Sequence, residues 1–384
     1  MMMKTIKSFI LGAMALAMVA PVFTACGDDD TKTETVEKII YSLKSEYSYN
    51  DSIVAAQKAK SKKDVAVLLV AFGSTWNNAF QAFDATKAAY ESAFPNADVY
   101  VCFSSDICIN RASAGENTDD EGNIVKRDYY EPRYLLHAIG AAKYSKIYVQ
   151  SLQVIPGEEF AAVVASVKKF MNNGYISSAH LDDAYLAKLA DDEAIFLGMP
   201  LLNDSIEDVK EVAKQLNELY KNEEGVVAFM GHGNPDTYDT FKANIRYTQL
   251  EKALQAYDAN KYFVGTVDMP NNYKQDVWER MKAKGVMNGK INLHALMSIA
   301  GDHAHNDMAG EGAEYWDADE PESEDNSWFE FFKNNGYTPI VSMPSTNKHP
   351  QGLLELEGVR NVWINHTKNA EFLEDAYHSM YPEE

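Results

Sequence analysis

Cysteine and basic charge are both scarce in this chain of 384 residues. Three cysteines are too few to hold a disulfide framework. Cys102 lies in an apolar, strand-like run, so we expect Cys102 and Cys108 to be buried thiols, with a disulfide between them as the alternative. The 35 basic residues face 57 acidic ones, and the net charge of −22 argues against nucleic acid as a partner.

Motifs of nucleotide and hydrolase chemistry are missing as well. The sequence has no G-x-x-x-x-G-K-[ST] loop, so we expect no ATP-driven step. Gly-Ser-Thr-Trp follows the first predicted strand where a dinucleotide-binding protein has spaced glycines, so we expect no NAD. The motifs H-E-x-x-H and G-x-S-x-G are also absent, although Ser74 directly follows a strand and keeps a serine hydrolase open as a distant alternative.

The apolar run nearest the start of the chain has the features of an export signal. Lys4 and Lys7 precede an apolar stretch from Phe9 to Val22, which is too short to span a membrane comfortably. The cysteine at position 26 resembles the cysteine of a bacterial lipoprotein box, which implies cleavage before Cys26 and a lipid on its thiol. A plain signal peptide with an incidental cysteine is the alternative.

These features predict where the protein works. Residues 1–25 are interpreted as a signal peptide and residues 26–62 as a tether with a first helix. We therefore expect an exported protein at the periplasmic face or the cell surface of a Gram-negative envelope, with the lipid anchor as its contact with the membrane. The sequence leaves open whether copies of the chain form a homo-oligomer.

Apolar runs alternate with helical patterns along the rest of the chain. The run VAVLLVAF (65–72) ends at a glycine, which is typical of a strand buried on both faces. The same alternation continues to the end of the chain, where 362–365 is predicted as the last strand. Alternating strands and helices indicate an α/β fold with parallel sheets flanked by helices.

Two pairs of segments indicate an internal duplication. KIYVQSLQVIPGEE (146–159) aligns without gaps on KINLHALMSIAGDH (290–303), and LLVAFGS (68–74) aligns on VVAFMGH (226–232). Chance similarity between two strand–helix turns is the alternative. We expect two similar Rossmann-like halves, residues 63–200 and 201–384, with a cleft between them and a histidine site in the second half.

Residues that could bind a metal or accept a proton follow three strands of the second half. His232 lies between glycines after one strand, Asp268 follows the next, and His303 and His305 follow the third. In open α/β sheets ligands bind beyond the carboxyl ends of the strands. Two imidazoles and a carboxylate there would suit a divalent metal, and a neutral imidazole can accept a proton. Each residue alone is more often an ordinary loop or cap residue.

The order of these motifs resembles that of the anaerobic cobalt chelatases that act on sirohydrochlorin, which are class II chelatases. The resemblance is carried by the following segments: LLVAFGST (68–75), VQSLQVIPGEEF (149–160), VAFMGHG (227–233), VGTVDMP (264–270) and AGDHAHNDMAG (300–310). It implies two α/β halves around a cleft that holds a tetrapyrrole. It also implies insertion of a divalent metal without ATP, with Co²⁺ as the best candidate and Fe²⁺ or Ni²⁺ as alternatives.

The resemblance also implies roles for individual residues. His232 and His303 match the two active-site histidines, which hold the metal and take the pyrrole protons. Asp268 stands where the family usually has Glu, and it completes the metal set. Glu159 aligns internally with His303 and is expected to be a second catalytic acid. The predicted ring-binding positions are Ser74, Gly231 and Gly233.

A binding protein without turnover is the competing hypothesis. Cobalamin precursors are normally made in the cytoplasm, whereas this chain carries an export signal, so an exported protein that captures haem, another tetrapyrrole or a metal would also fit. A carboxylate-rich ring also needs local positive charge on an acidic protein. The candidates for that charge are Arg111, Lys126, Arg127 and Arg133. Two interpretations of His305 stay open: a proton relay, or a strand-end residue without a catalytic role.

Overall fold

The computed structural model describes residues 43–115, 122–174, 180–203, 206–239, 241–310, 327–341, 343 and 349–373. The predicted signal peptide (1–25), the anchor position Cys26 and the tether up to residue 42 lie outside the described residues. Two acidic stretches, 116–121 and 317–326, also lie outside them.

The first half of the chain builds a sheet whose first four strands are parallel. These strands appear in the order β2-β1-β3-β4, and a short antiparallel strand, β9, adds to the edge at β4. Parallel neighbours need crossover connections, which the helices supply. The elements are α1 Leu43–Ser61, β1 Val65–Ala71, α2 Asn77–Ala93, β2 Ala97–Phe103, α3 Asp106–Ala114, α4 Pro132–Ala141, β3 Lys146–Ser151, α5 Glu158–Met171, α6 Asp183–Asp191 and β4 Ile195–Gly198.

The second half repeats this arrangement in an all-parallel sheet of order β6-β5-β7-β8. In each sheet the first strand of the half lies between the second and the third, so the two halves share one strand order. The elements are α7 Glu207–Tyr220, β5 Val226–Gly231, α8 Ile245–Gln255, β6 Tyr262–Thr266, α9 Lys274–Ala283, β7 Gly289–Leu296, a π-helix His303–Ala309, α10 Trp328–Asn334 and β8 Tyr337–Val341.

The end of the described chain returns to the first sheet. Helix α11 (Glu357–Lys368) contacts β3 and β4, and β9 (Glu371–Phe372) pairs with β4. The predicted strand at 362–365 is wrong, because these residues lie inside α11. The run VWIN (362–365) favours a strand only when the residues on either side of it are not considered. Val359, Trp363 and Thr367 are all buried and repeat every fourth residue, which is the spacing of one helix face.

Side chains on alternate positions of the strands divide the core into layers. Val67 and Leu69 of β1 point into a cluster that also holds Val227 and Phe229 of β5, so both halves share this apolar interior. Ala66 and Leu68 point into the layer on the other face of the first sheet, while Ala228 and Met230 do the same in the second half. Burial on both faces explains why these strands read as continuous apolar runs.

Other predictions from the sequence can be compared with the same structure. The expectation of two buried thiols is confirmed, since Cys102 and Cys108 are both buried and both are thiols. Within the described ranges, no helix combines the length and the apolar character needed to cross a bilayer.

Candidate functional site

The topology of the second sheet brings three chain segments to one edge. His232 directly follows β5, Asp268 lies two residues after β6, and His303 opens the π-helix that comes after β7. Because β5 lies between β6 and β7 and all three run in the same direction, their carboxyl ends are neighbours. The predicted convergence of these three residues therefore follows from strand order.

Glycines on both sides of His232 shape its loop. Gly233 has a φ of +79°, and a β-carbon at this position would lie 2.8 Å from the backbone nitrogen of Met269. Gly231 passes so close to Tyr247 that a β-carbon would lie 2.4 Å from its ring. Both glycines are buried, so they hold the loop tightly while the imidazole between them keeps 41 % of its side-chain surface exposed.

The two predicted histidines are in contact. The ring centroids of His232 and His303 are 4.8 Å apart, and the rings are nearly perpendicular at 81°. The side chain of His303 keeps 24 % of its surface exposed. Two imidazoles thus meet at the strand ends with part of each ring accessible from solvent, as a histidine pair needs in order to receive a metal ion.

Hydrogen bonds determine which nitrogen each histidine presents. Carbonyl and carboxylate oxygens accept hydrogen bonds, so Nδ1 of His232 donates to the Gly233 carbonyl at 2.7 Å. Nδ1 of His303 donates to Oδ2 of Asp307 at 2.5 Å. In the neutral form of both rings, the Nε2 lone pair is left for a ligand.

The same neighbours shift the two pKa values in opposite directions. Burial, followed by the nearby charge of His303, lowers the pKa of His232. Burial also acts to lower the pKa of His303, but the hydrogen bond and charge of Asp307 outweigh it and the net shift is upward. One ring is therefore readily neutral, while the other holds its proton to higher pH.

Asp268 lies beside His232, on the Nδ1 side of the ring. Its Oδ2 is 3.6 Å from Nδ1, and its backbone N–H donates to the His232 carbonyl at 2.8 Å. Among the described residues, no group of three or more His, Cys, Asp or Glu side chains has the spacing of a metal site. The pair of imidazoles is therefore assembled in this structure, whereas the carboxylate faces the nitrogen that carries the proton.

Glu159 and Ser74 come from the first half. Ser104 Oγ donates to Glu159 Oε2 at 3.1 Å, and burial raises the pKa of Glu159 to about 7 against that hydrogen bond. A carboxyl group with this pKa can exchange protons near neutral pH. Ser74 is only 4 % exposed, and its Oγ accepts a hydrogen bond from the Trp76 amide at 3.2 Å.

The β1–α2 loop contacts the second half next to His303. Trp76 Nε1 donates to Asp302 Oδ1 at 2.5 Å, and Asn78 Nδ2 donates to the Ala300 carbonyl at 3.3 Å. The Trp76 ring also stacks on His305, with centroids 3.6 Å apart and an angle of 6° between the planes. Contacts across the two halves thus hold the segment that carries the second histidine of the pair.

Sequence reasoning missed Asp307, Trp76 and His349. Asp307 follows His303 by four residues, a spacing that pairs side chains on a helix, but the helix itself was not predicted there. Trp76 and His349 reach the site from distant parts of the chain, and nothing local in the sequence indicates this.

Two of the four predicted local cations already have acidic partners. Arg127 pairs with Asp84 at 2.9 Å, and Arg133 Nη2 donates to Glu131 Oε1 at 2.9 Å. The Arg127 pair is exposed, and exposed pairs are weak and exchange readily with solvent. They nonetheless reduce the positive charge that these two arginines offer to an anionic ring.

A family model and two similar proteins all indicate the same family of chelatases. The model of the cobalt chelatase (CbiK) family matches residues 65–371. The chain is 26 % identical over 257 residues to the sirohydrochlorin cobaltochelatase of Salmonella typhimurium, which covers 65 % of this chain and 82 % of that protein. It is 27 % identical over 306 residues to the sirohydrochlorin cobaltochelatase CbiKC of Nitratidesulfovibrio vulgaris, covering 78 % and 88 %.

Among solved structures, SirB from Bacillus subtilis with Fe³⁺ aligns with a TM-score of 0.46 and 12 % identity, over 82 % of this chain and 98 % of that one. The family model spans most of the chain and includes both halves and every strand-end residue described above. The chain therefore belongs to the cobalt chelatase (CbiK) family.

Proposed function

We propose that this protein is a metal chelatase that inserts a divalent metal ion, with Co²⁺ as the physiological ion, into sirohydrochlorin. The family match and the two sirohydrochlorin cobaltochelatases among its relatives support the reaction. The observation that carries the site assignment is the contact between the His232 and His303 rings at the strand ends. Fe²⁺ and Ni²⁺ are the alternative ions, since imidazole suits each of these metals.

The metal is held by Nε2 of His232 and Nε2 of His303. This assignment is supported by the two hydrogen bonds that occupy the Nδ1 atoms. Asp268 is proposed to supply the carboxylate of the set, which requires its side chain to move from the Nδ1 side of His232 towards the metal. Its side chain is 35 % exposed, so there is space for such a rotation.

Metal insertion releases two pyrrole protons, and these need acceptors that the metal does not occupy at that moment. Glu159 suits this role because burial brings its pKa to about 7. His232 can take a proton once the ion has left it, since its lowered pKa keeps the ring neutral before that step. The exchange of two protons for one divalent ion is proposed to proceed without ATP, which the lack of a G-x-x-x-x-G-K-[ST] loop in the sequence supports.

The cellular location is proposed from the amino terminus alone. Lys4, Lys7 and the apolar stretch before Cys26 support export and a lipid anchor on that cysteine. Because the ring is normally made in the cytoplasm, export is also the feature that favours the competing function, a haem- or tetrapyrrole-binding lipoprotein without turnover.

One assay separates these two functions. Purified protein, Co²⁺ and sirohydrochlorin are followed by visible absorption, in which metal insertion changes the spectrum of the ring. We expect a rate well above the uncatalysed one, and a loss on the order of 10²-fold or more in His232→Ala, because this variant removes both a ligand and a base. The melting temperature of His232→Ala should stay close to wild type, since the side chain is partly exposed.

The matched control is His180→Ala, which removes an exposed histidine outside the site and should keep full activity. An uncatalysed rate with the wild-type protein, combined with tight binding of haem, would overturn the chelatase proposal and establish the binding protein in its place.

A further inference from the structure

His305 and His349 form a second pair of histidines in the described part of the chain. His305 is in the same π-helix as His303, two residues further on, and it is 1 % exposed. His349 reaches it from a distant part of the chain, and its own side chain is partly exposed. Nε2 of His305 and Nδ1 of His349 form a hydrogen bond in which the two nitrogens are 3.3 Å apart.

The orientation of His305 is determined by its surroundings. The Gly301 carbonyl accepts a hydrogen bond from Nδ1 at 2.8 Å, so in the neutral ring the Nε2 lone pair faces His349. The indole of Trp76 stacks flat on the imidazole, and Asp302 holds the indole through Nε1. A ring held from two sides loses little freedom when it binds a ligand, which favours binding.

The spacing of the two nitrogens matches that of two ligands on one metal ion. Imidazole nitrogens bind Zn²⁺ and similar ions at about 2.0–2.1 Å, so two of them on a tetrahedral ion are roughly 3.3–3.4 Å apart. The 3.3 Å between His305 Nε2 and His349 Nδ1 falls at this value.

We propose that His305 and His349 form a second binding site for a divalent cation of the Co²⁺, Ni²⁺ or Zn²⁺ class, separate from the pair His232 and His303. Water completes the coordination, so the ion is held less tightly than in a closed site of four protein ligands. The site keeps an ion next to the first pair and raises its supply there. This supply role rests on the proposed function, whereas binding itself does not.

The test uses the variant His232→Ala/His303→Ala, which lacks the first pair. Titration with Co²⁺, followed by calorimetry and by the visible d–d absorption of the ion, should show one bound equivalent. Adding His349→Ala should weaken that binding at least about tenfold. His349→Asn places an amide near the former Nδ1, so it preserves a hydrogen bond to His305 but is a poor ligand, and it should weaken binding equally. Adding His180→Ala should change nothing.

Absence of Co²⁺ binding in the double variant, or an unchanged affinity after His349→Asn in a folded protein, overturns the site. Activity tests the supply role separately. In the otherwise wild-type chain, His349→Asn should raise the apparent KM for Co²⁺ severalfold and leave kcat unchanged; an unchanged KM overturns the supply role. One bound equivalent in the double variant, together with no metal insertion by the wild-type chain, would support the site and overturn the proposed function.

Discussion

Asp307 raises the pKa of His303, the proposed metal ligand, and so affects its protonation. Its carboxylate accepts the Nδ1 proton at 2.5 Å and is the main reason that the pKa of His303 lies above its ordinary value despite burial. A protonated ring has no lone pair on Nε2, so metal binding must displace a proton at every pH below this pKa. Acid therefore weakens metal binding, beginning at a higher pH than for an ordinary histidine.

We expect Asp307→Asn to move the acid limb of kcat/KM for Co²⁺ to lower pH. The amide oxygen can still accept the Nδ1 hydrogen bond and orient the ring, but the negative charge that stabilises the imidazolium is lost. The measurement is the pH profile of metal insertion. Glu279→Gln, on the exposed surface of α9, is the control and should leave the profile unchanged. An acid limb in Asp307→Asn that coincides with wild type would contradict this account of His303.

Asp268 provides a second prediction at the scale of single residues. Asp268→Asn should lower kcat/KM for Co²⁺ by about 10–100-fold, because an amide replaces a charged group that acts on the metal or on His232. Asp268→Glu lengthens the arm by one methylene and should retain activity while changing the preference between Co²⁺ and Ni²⁺. Metal-competition assays measure both effects, and wild-type kinetics in Asp268→Asn would exclude Asp268 from the site.

At the scale of elements, α11 shows how a helix can be mistaken for a strand. Its buried residues follow a period of about four, but the apolar run at 362–365 obscures that period. Acidic Glu357 in the first turn and His366 and Lys368 in the last turn fit the helix dipole. The helix packs on the first sheet although it follows the second sheet in the chain, so it links the two halves through the shared core.

Trp363 anchors this helix. It is 0 % exposed, and its Nε1 donates to the Gln153 carbonyl at 3.2 Å. We expect Trp363→Ala to lower the free energy of unfolding by about 3–5 kcal/mol, because it leaves a large cavity and removes a buried hydrogen bond. Denaturant unfolding measures this. Asn361→Ala, on the exposed side of the same helix, should change stability by less than about 0.5 kcal/mol. Equal stabilities of the two variants would show that α11 does not pack as described.

At the scale of the whole molecule, the net negative charge of the protein disfavours binding of the proposed anionic substrate. The chain carries a net charge of −22, and sirohydrochlorin is rich in carboxylates. Raising the ionic strength from about 0.01 M to 0.15 M shortens the Debye length from about 30 Å to about 8 Å. We therefore expect KM for sirohydrochlorin to fall over this range while kcat stays constant, as initial rates will show. A KM that rises with salt would mean that local cations, such as Arg111 or Lys126, dominate binding.

The two halves pack against each other through one apolar interior. One apolar cluster includes Val67 and Leu69 of the first sheet with Val227 and Phe229 of the second. Contacts of Trp76 with Asp302 and His305 extend this connection to the edge where the histidines meet. Variants in this interface are therefore expected to affect the site as well as the stability of the fold.

The amino-acid sequence by itself determined most of the strands, with the segment at 362–365 as an exception, and the identity of the strand-end residues. The run VAVLLVA (65–71) is buried on both faces, and glycines around His232 mark the end of β5, so local patterns were sufficient for these features. Only the tertiary structure decided which distant residues meet. The stacking of Trp76 on His305, the approach of His349 and the return of α11 depend on how complete sheets and helices pack, and no short segment contains that information. Likewise, the opposite pKa shifts of His232 and His303 arise from burial and neighbouring charge, which exist only in the folded chain.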